Sequence, residues 1–310
     1  MKRLLAAGSL AFIPLVASAW DAAGHMLVGQ IAWEHTRPAA REKVSALAAT
    51  LENTFNEGQP YNFVTASCWM DDMRGKKGYA WSKWHYVDIA FTPSGAPCAI
   101  PDEGPHVVWA IDENLKTLRD AAATPAQLAE ALAMLMHFTG DLHQPLHATD
   151  WNDRGGNGYL IHGIPFTDLF PGSVPNLHSF WDKAFRYDGR DGVNVQLWES
   201  PRIADRPKAP GEGVIAEQAA KIMAAFRPGS LPQLARHNTA ANWACETHEV
   251  GCLAAYPLGP HPSDHEVIDL KPEFVQRAGQ IAQMRVALAG YRLAAVLNEV
   301  FAPEAPAASR

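Results

Sequence analysis

The chain has 310 residues, 47% hydrophobic and 19% charged, an ordinary balance for a globular protein and unlike that of a disordered or fibrous one. Its formal net charge of −7 excludes binding nucleic acid through a broad basic surface. A polyanionic substrate would have to be attracted locally, as bound divalent cations can do.

In chain order, Lys2 and Arg3 precede an apolar run from Leu4 to Val16 that ends in Ala17-Ser18-Ala19, the pattern of a signal peptide with an A-x-A cleavage site. That run is too short to favour a membrane span, and no later segment reaches about 18 apolar residues. The expectation is an exported protein, periplasmic or secreted, that begins at Trp20. Residues 1–19 would form the signal and 20–310 a single domain, since no linker, repeat or low-complexity stretch interrupts them.

Amphipathic stretches then predict helices near Leu27 to Leu51 and Val107 to Leu118. A stronger one runs from Pro125 to His143, where Leu128, Leu132, Leu135 and Met136 recur at helical spacing, Thr124 is placed as N-cap and Pro145 ends the helix. Further helices are predicted near Val214 to Phe226 and Leu234 to Thr247, and a long one from Pro272 to Phe301. Period-two alternation is confined to Trp84–Phe91 and Tyr159–Phe166, so the reading is a mostly α domain with long loops and a small β-hairpin.

Chemistry concentrates around the Pro125 helix. His137 and Asp141 stand at i, i+4 on one helical face, His147 follows beyond Pro145, and His178 and Asp182 form a second pair of the same spacing. Each pair alone is more often an ordinary surface or core pair. Two pairs with a histidine between them, in a compartment where Cys68, Cys98, Cys245 and Cys252 favour disulfides over thiolate ligands, point to a metal centre, and imidazole with carboxylate suits zinc best. Four cysteines allow three pairings, and their spacing does not choose among them.

The segments W-D-A-A-G-H from Trp20, A-S-C-W-M-D-D-M-R, W-H-Y-V-D, H-F-T-G-D-L-H-Q-P-L-H, G-G-N, N-L-H-S-F-W-D and W-A-C-E occur in this order along the mature chain. Together they resemble the zinc-dependent single-strand nucleases of fungi and plants, the S-one and P-one type, which include 3'-nucleotidases and have bacterial members. The resemblance implies a helical domain of the zinc-dependent phospholipase C/nuclease type holding three Zn2+ ions. One ion of a close pair would be held by Asp71, His85, His137 and Asp141. The other would take the α-amine and carbonyl of Trp20, His25 and the second oxygen of Asp141. His147, His178 and Asp182 would hold the third, separate ion.

The resemblance further places Arg74 at phosphate oxygens, Tyr86 as a base-stacking platform, Asp88 as an acceptor for base N–H groups and Asn157 in the pocket wall. It implies Cys98 paired with Cys252, which leaves Cys68 for Cys245. Substrates would be single-stranded RNA and DNA and nucleotides, cut to 5'-phosphate products by a monomeric enzyme. A regular strand would put His85 and Tyr86 on opposite faces, so either the segment is irregular there or the site wraps around its edge. Asp71 and Asp72 are adjacent, and the family register favours Asp71. The stretch 158–175, with His162, looks longer than usual and could alter substrate choice. His143 has no ligand role in the family, and the remaining histidines have no partner at informative spacing. The alternatives are a zinc-dependent phospholipase C, which has a glutamate where this chain has Asp182, and a non-catalytic zinc carrier, which would show His-rich tracts.

Overall fold

The structure is a computed structural model that describes residues 20–92, 97–102, 104–162, 175–186, 201–236, 239–259 and 266–303. The expected signal peptide, most of the 158–175 stretch and His237, His261 and His265 lie outside these residues. Ten α-helices are described. They are α1 (Ala22–His35), α2 (Pro38–Ala48), α3 (Trp69–Asp72), α4 (Val107–Arg119) and α5 (Pro125–Asp141), followed by α6 (Leu177–Trp181), α7 (Gly213–Ala225), α8 (Gln233–Arg236), α9 (Ala240–Val250) and α10 (Pro272–Phe301). No described helix is long and apolar enough to cross a membrane.

The predicted Leu27–Leu51 helix divides at Thr36-Arg37-Pro38, where Pro38 opens α2 and forces Arg37 into extended backbone. Helix α5 starts as its sequence dictates. The Thr124 hydroxyl accepts from the Gln127 N–H, the Gln127 carboxamide oxygen accepts from the Thr124 N–H, and Pro125 occupies the first turn. From Ala131 to Asp141 every residue of α5 is buried, so it forms the centre of the molecule. Helix α10, thirty residues and about 45 Å long, lies against α1. Gly290 makes that approach possible, because a Cβ there would come within 2.5 Å of the Ile31 side chain. The buried apolar residues of all these elements form one contiguous cluster.

The β structure differs in kind from a hairpin. Strand β1 (Ile161–His162) pairs in parallel with β2 (Ile268–Asp269), joining segments more than a hundred residues apart. The alternation at Tyr159–His162 reports burial of Tyr159 and Ile161 rather than a local turn. Trp84–Phe91 begins instead in a 3-10 turn (Ser82–His85) and continues as extended chain that makes a single parallel bridge, Ala90 to Asp150.

The disulfide pairing also differs. Cys98 bonds Cys245 of α9, with Cα atoms 5.5 Å apart, so neither the Cys98–Cys252 nor the Cys68–Cys245 bridge forms. Cys68 is a fully buried free thiol facing the Ala22 carbonyl at 3.4 Å, and burial pushes it up to about 12. Cys252 lies two turns of chain beyond Cys245, on a π turn (Gly251–Ala255), where its sulfur rests against His248.

Candidate metal centre

Helix α1 brings His25, α3 brings Asp71, the Ser82–His85 turn brings His85, and the last turn of α5 brings His137 and Asp141 to one buried point. His85 Nδ1 lies 2.9 Å from Asp141 Oδ2, His137 Nε2 3.3 Å from the same oxygen, and His25 Nε2 3.3 Å from Asp141 Oδ1. His137 Nε2 also lies 3.6 Å from Asp71 Oδ1. The His25 and His137 rings stack with centroids 3.8 Å apart. Gly140 leaves room for this ring: a Cβ would stand 3.0 Å from His25 Nδ1 and would push the imidazole aside by a few tenths of an ångström.

A second cluster sits beside the first. His147, at the end of a 3-10 turn (Pro145–His147), meets His178 of α6 and Asp182, which caps α6. His147 Nδ1 donates to the His85 carbonyl at 2.8 Å and His178 Nδ1 to the Gly155 carbonyl at 2.7 Å. In the neutral form each ring therefore turns an Nε2 lone pair inward, and the two nitrogens face each other at 3.2 Å, with Asp182 Oδ1 at 4.0 and 3.8 Å. Two lone pairs at that distance repel, so the geometry fits a shared cation between them.

The electrostatics agree, except that burial pushes the Asp182 carboxyl well above the ordinary carboxylate range. Burial lowers His147 to about 3 and lowers His25 and His85 as well, which keeps these imidazoles neutral and able to donate lone pairs. Burial works against the Asp141 charge, yet His137 and the neighbouring imidazoles hold its carboxyl well below the ordinary carboxylate range. Burial likewise opposes a proton on His137, but Asp141 and Asp71 outweigh it, so the cluster attracts positive charge. His25 Nδ1 and Nε2 and Asp141 Oδ1 are buried without a hydrogen-bond partner among the described residues, a cost of about 1–3 kcal/mol each if left so. Three groups of donor atoms, each lying within 4.8 Å of one another, could hold a metal ion. They are His25–His137–Asp141, Asp71–His85–His137 and His147–His178–Asp182.

The neighbouring residues bear on several of the sequence expectations. Asp72 turns away to pair with Arg206 at 2.6 Å and to accept from Tyr61 at 2.9 Å, which leaves Asp71 to face the cluster. Arg74 lies 2.7 Å from Asp71 Oδ1. The 3-10 turn ending at His85 resolves the facing problem: His85 is buried in the cluster, while Tyr86 begins the extended chain on the other side. From there Tyr86 and Asp88 point outward between buried Val87 and Ile89. With Leu146, Asp150, Arg154, Gly155, Asn157 and His178 they line a cleft of about 270 Å³ that reaches the second cluster. Trp20 is fully buried, its indole N–H donates to the Gly140 carbonyl at 2.8 Å, and the next N–H, of Asp21, donates to the Asp182 carbonyl at 3.2 Å.

Sequence reasoning did not single out Tyr79 and Gln144. Gln144 donates to Asp182 Oδ1 at 2.8 Å and so orients a carboxylate of the second cluster; its place between His143 and Pro145 was the one available signal. Tyr79 meets His85 Nε2 at 2.7 Å, and no spacing marks it.

The whole described core matches a family model, S1/P1 Nuclease, over residues 20–302. The chain belongs to the S1/P1 nuclease family. It is 22% identical to nuclease P1 of Penicillium citrinum over 92% of this chain and 99% of that protein. It is likewise 22% identical to nuclease S1 of Aspergillus oryzae (96% and 98%) and 26% identical to endonuclease 2 of Arabidopsis thaliana (91% and 90%). Family membership and the helical architecture agree with the resemblance read from the motifs.

Proposed function

We propose that this protein is an exported, monomeric zinc endonuclease that hydrolyses phosphodiesters of single-stranded RNA and DNA to 5'-phosphate products and acts on 3'-nucleotides. Residues 1–19 are its signal peptide and 20–310 its single domain. The observation that carries this reading is the pair of buried His/Asp clusters, the second of which reaches a cleft that offers an aromatic ring and a carboxylate. The donor set fits zinc. Asp71, His85, His137 and Asp141 would hold one ion; the Trp20 amine and carbonyl, His25 and Asp141 a second; His147, His178 and Asp182 a third. The ions would supply a water of lowered pKa and positive charge for the phosphate and the leaving 3' oxygen.

The chain's own groups do the rest. Arg74, held by Asp71, would offer its remaining guanidinium donors to phosphate oxygens. The Tyr86 ring gives one base a stacking surface and Asp88 accepts its N–H groups, with Asn157 lining the same cleft. A base can enter only when unstacked from its neighbours, which selects single strands. Burial raises Asp88 from the usual carboxylate range, with Asp150 adding to it.

The test is a substrate panel of single-stranded DNA, duplex DNA and a phosphatidylcholine emulsion. The expected result is rapid hydrolysis of the single strand only. Lipid hydrolysis in its place would favour the phospholipase C reading, and zinc binding without any phosphate release the carrier. The same panel run on a chain that retains Ala19 ahead of Trp20 should show most activity lost, because an amide nitrogen is a poor zinc ligand; equal activity would remove Trp20 from the ligand set.

A further inference from the structure

We propose that Tyr79 is a positioning residue that fixes the ring of His85 toward the metal pair and tethers the phosphate-binding Arg74 with the same hydroxyl. This rests on the zinc reading above. Tyr79 Oη lies 2.7 Å from His85 Nε2, and Arg74 also hydrogen-bonds that oxygen. Arg74 in turn lies 2.7 Å from Asp71 Oδ1, and His85 Nδ1 lies 2.9 Å from Asp141 Oδ2. Asp71, Arg74, Tyr79, His85 and Asp141 thus form a chain of polar contacts that runs around the first cluster and returns to it through His137, 3.6 Å from Asp71 and 3.3 Å from Asp141.

The inference follows from the symmetry of an imidazole. A half-turn about the Cβ–Cγ bond exchanges Nδ1 with a carbon of similar size, so packing alone cannot tell the two orientations apart. The Phe138 ring lies edge-on to His85 with centroids 5.3 Å apart and gives no such preference. Only groups that distinguish nitrogen from carbon can, and on the side away from the cluster that group is the Tyr79 hydroxyl. In the flipped ring it would face carbon and Nδ1 would leave the cluster. With Nδ1 committed to a cation, His85 carries its proton on Nε2 and donates it to Tyr79 Oη, the outer contact that orients a ligand imidazole and raises its basicity. The same oxygen then accepts from Arg74 as well. The aromatic ring of Tyr79 is held independently, edge-on against Trp81 at 5.3 Å, so removing the hydroxyl leaves the packing in place.

The experiment compares wild-type protein with Tyr79→Phe by zinc titration against a competing chelator, with kcat and KM on single-stranded DNA. The expected result is about a 10-to-100-fold loss of zinc affinity at one site, the others unchanged, with a raised KM from the released Arg74. Ring-nitrogen NMR of zinc-loaded wild type gives an answer that needs no variant: His85 should show Nδ1 on the metal and a protonated Nε2. Wild-type affinity at every site in the variant, or Nε2 on the metal, would overturn the role of Tyr79 alone. A wild-type protein that binds no zinc would overturn the zinc reading with it.

Discussion

A helix turns about 100° per residue, so Asp71 and Asp72 leave α3 in different directions and meet different chemistry. Asp71 joins the buried imidazoles and Arg74; Asp72 takes a two-pronged ion pair from Arg206, at 2.6 and 2.9 Å, and the Tyr61 hydroxyl. Neutralising each should therefore fail differently. Asp71→Asn should weaken zinc binding at the pair by more than about tenfold and leave the urea midpoint of the metal-stripped protein nearly unchanged. Asp72→Asn leaves Arg206 buried without its counter-charge and should cost about 3 kcal/mol, with zinc affinity much less affected. Urea unfolding and chelator competition on both variants measure this; exchanged phenotypes would show that Asp72 is the ligand.

At the scale of elements, what could be read from the sequence was what repeats along one helix. The cap at Thr124, the apolar face of α5 and the His137–Asp141 spacing were all legible, because a helix fixes its own geometry. What could not be read was contact between distant segments. The β1–β2 pairing joins chain positions that share no turn signal, and the Cys98–Cys245 bond joins α9 to a position 147 residues earlier in the chain. Tyr79 escaped notice for the same reason, since its partner His85 is reached through an irregular turn. The disulfide closes a loop with sequence separation 147, which in the chain-entropy picture stabilises the fold by roughly 5 kcal/mol. Peptide mapping should find Cys98 linked to Cys245. A thiol reagent should label half-buried Cys252 in the native protein and Cys68 only after unfolding. Recovery of a Cys98–Cys252 peptide would contradict the structure.

At the scale of the whole molecule, an acidic chain must hold a polyanion, and the formal net charge of −7 gives it no general attraction for one. The fold answers by concentrating five imidazoles and three carboxylates from six separate elements in two buried clusters, the second of them beside a cleft, where cations would reverse the local field. Activity should therefore depend on those cations entirely. The most direct measurement is to strip the processed protein of metal and titrate zinc back while following hydrolysis of single-stranded DNA. The account predicts no cleavage by the stripped protein, saturation at three zinc ions per chain, one for each donor group, and products bearing 5'-phosphates. Undiminished cleavage by the stripped protein, or full zinc loading with no cleavage, would contradict it.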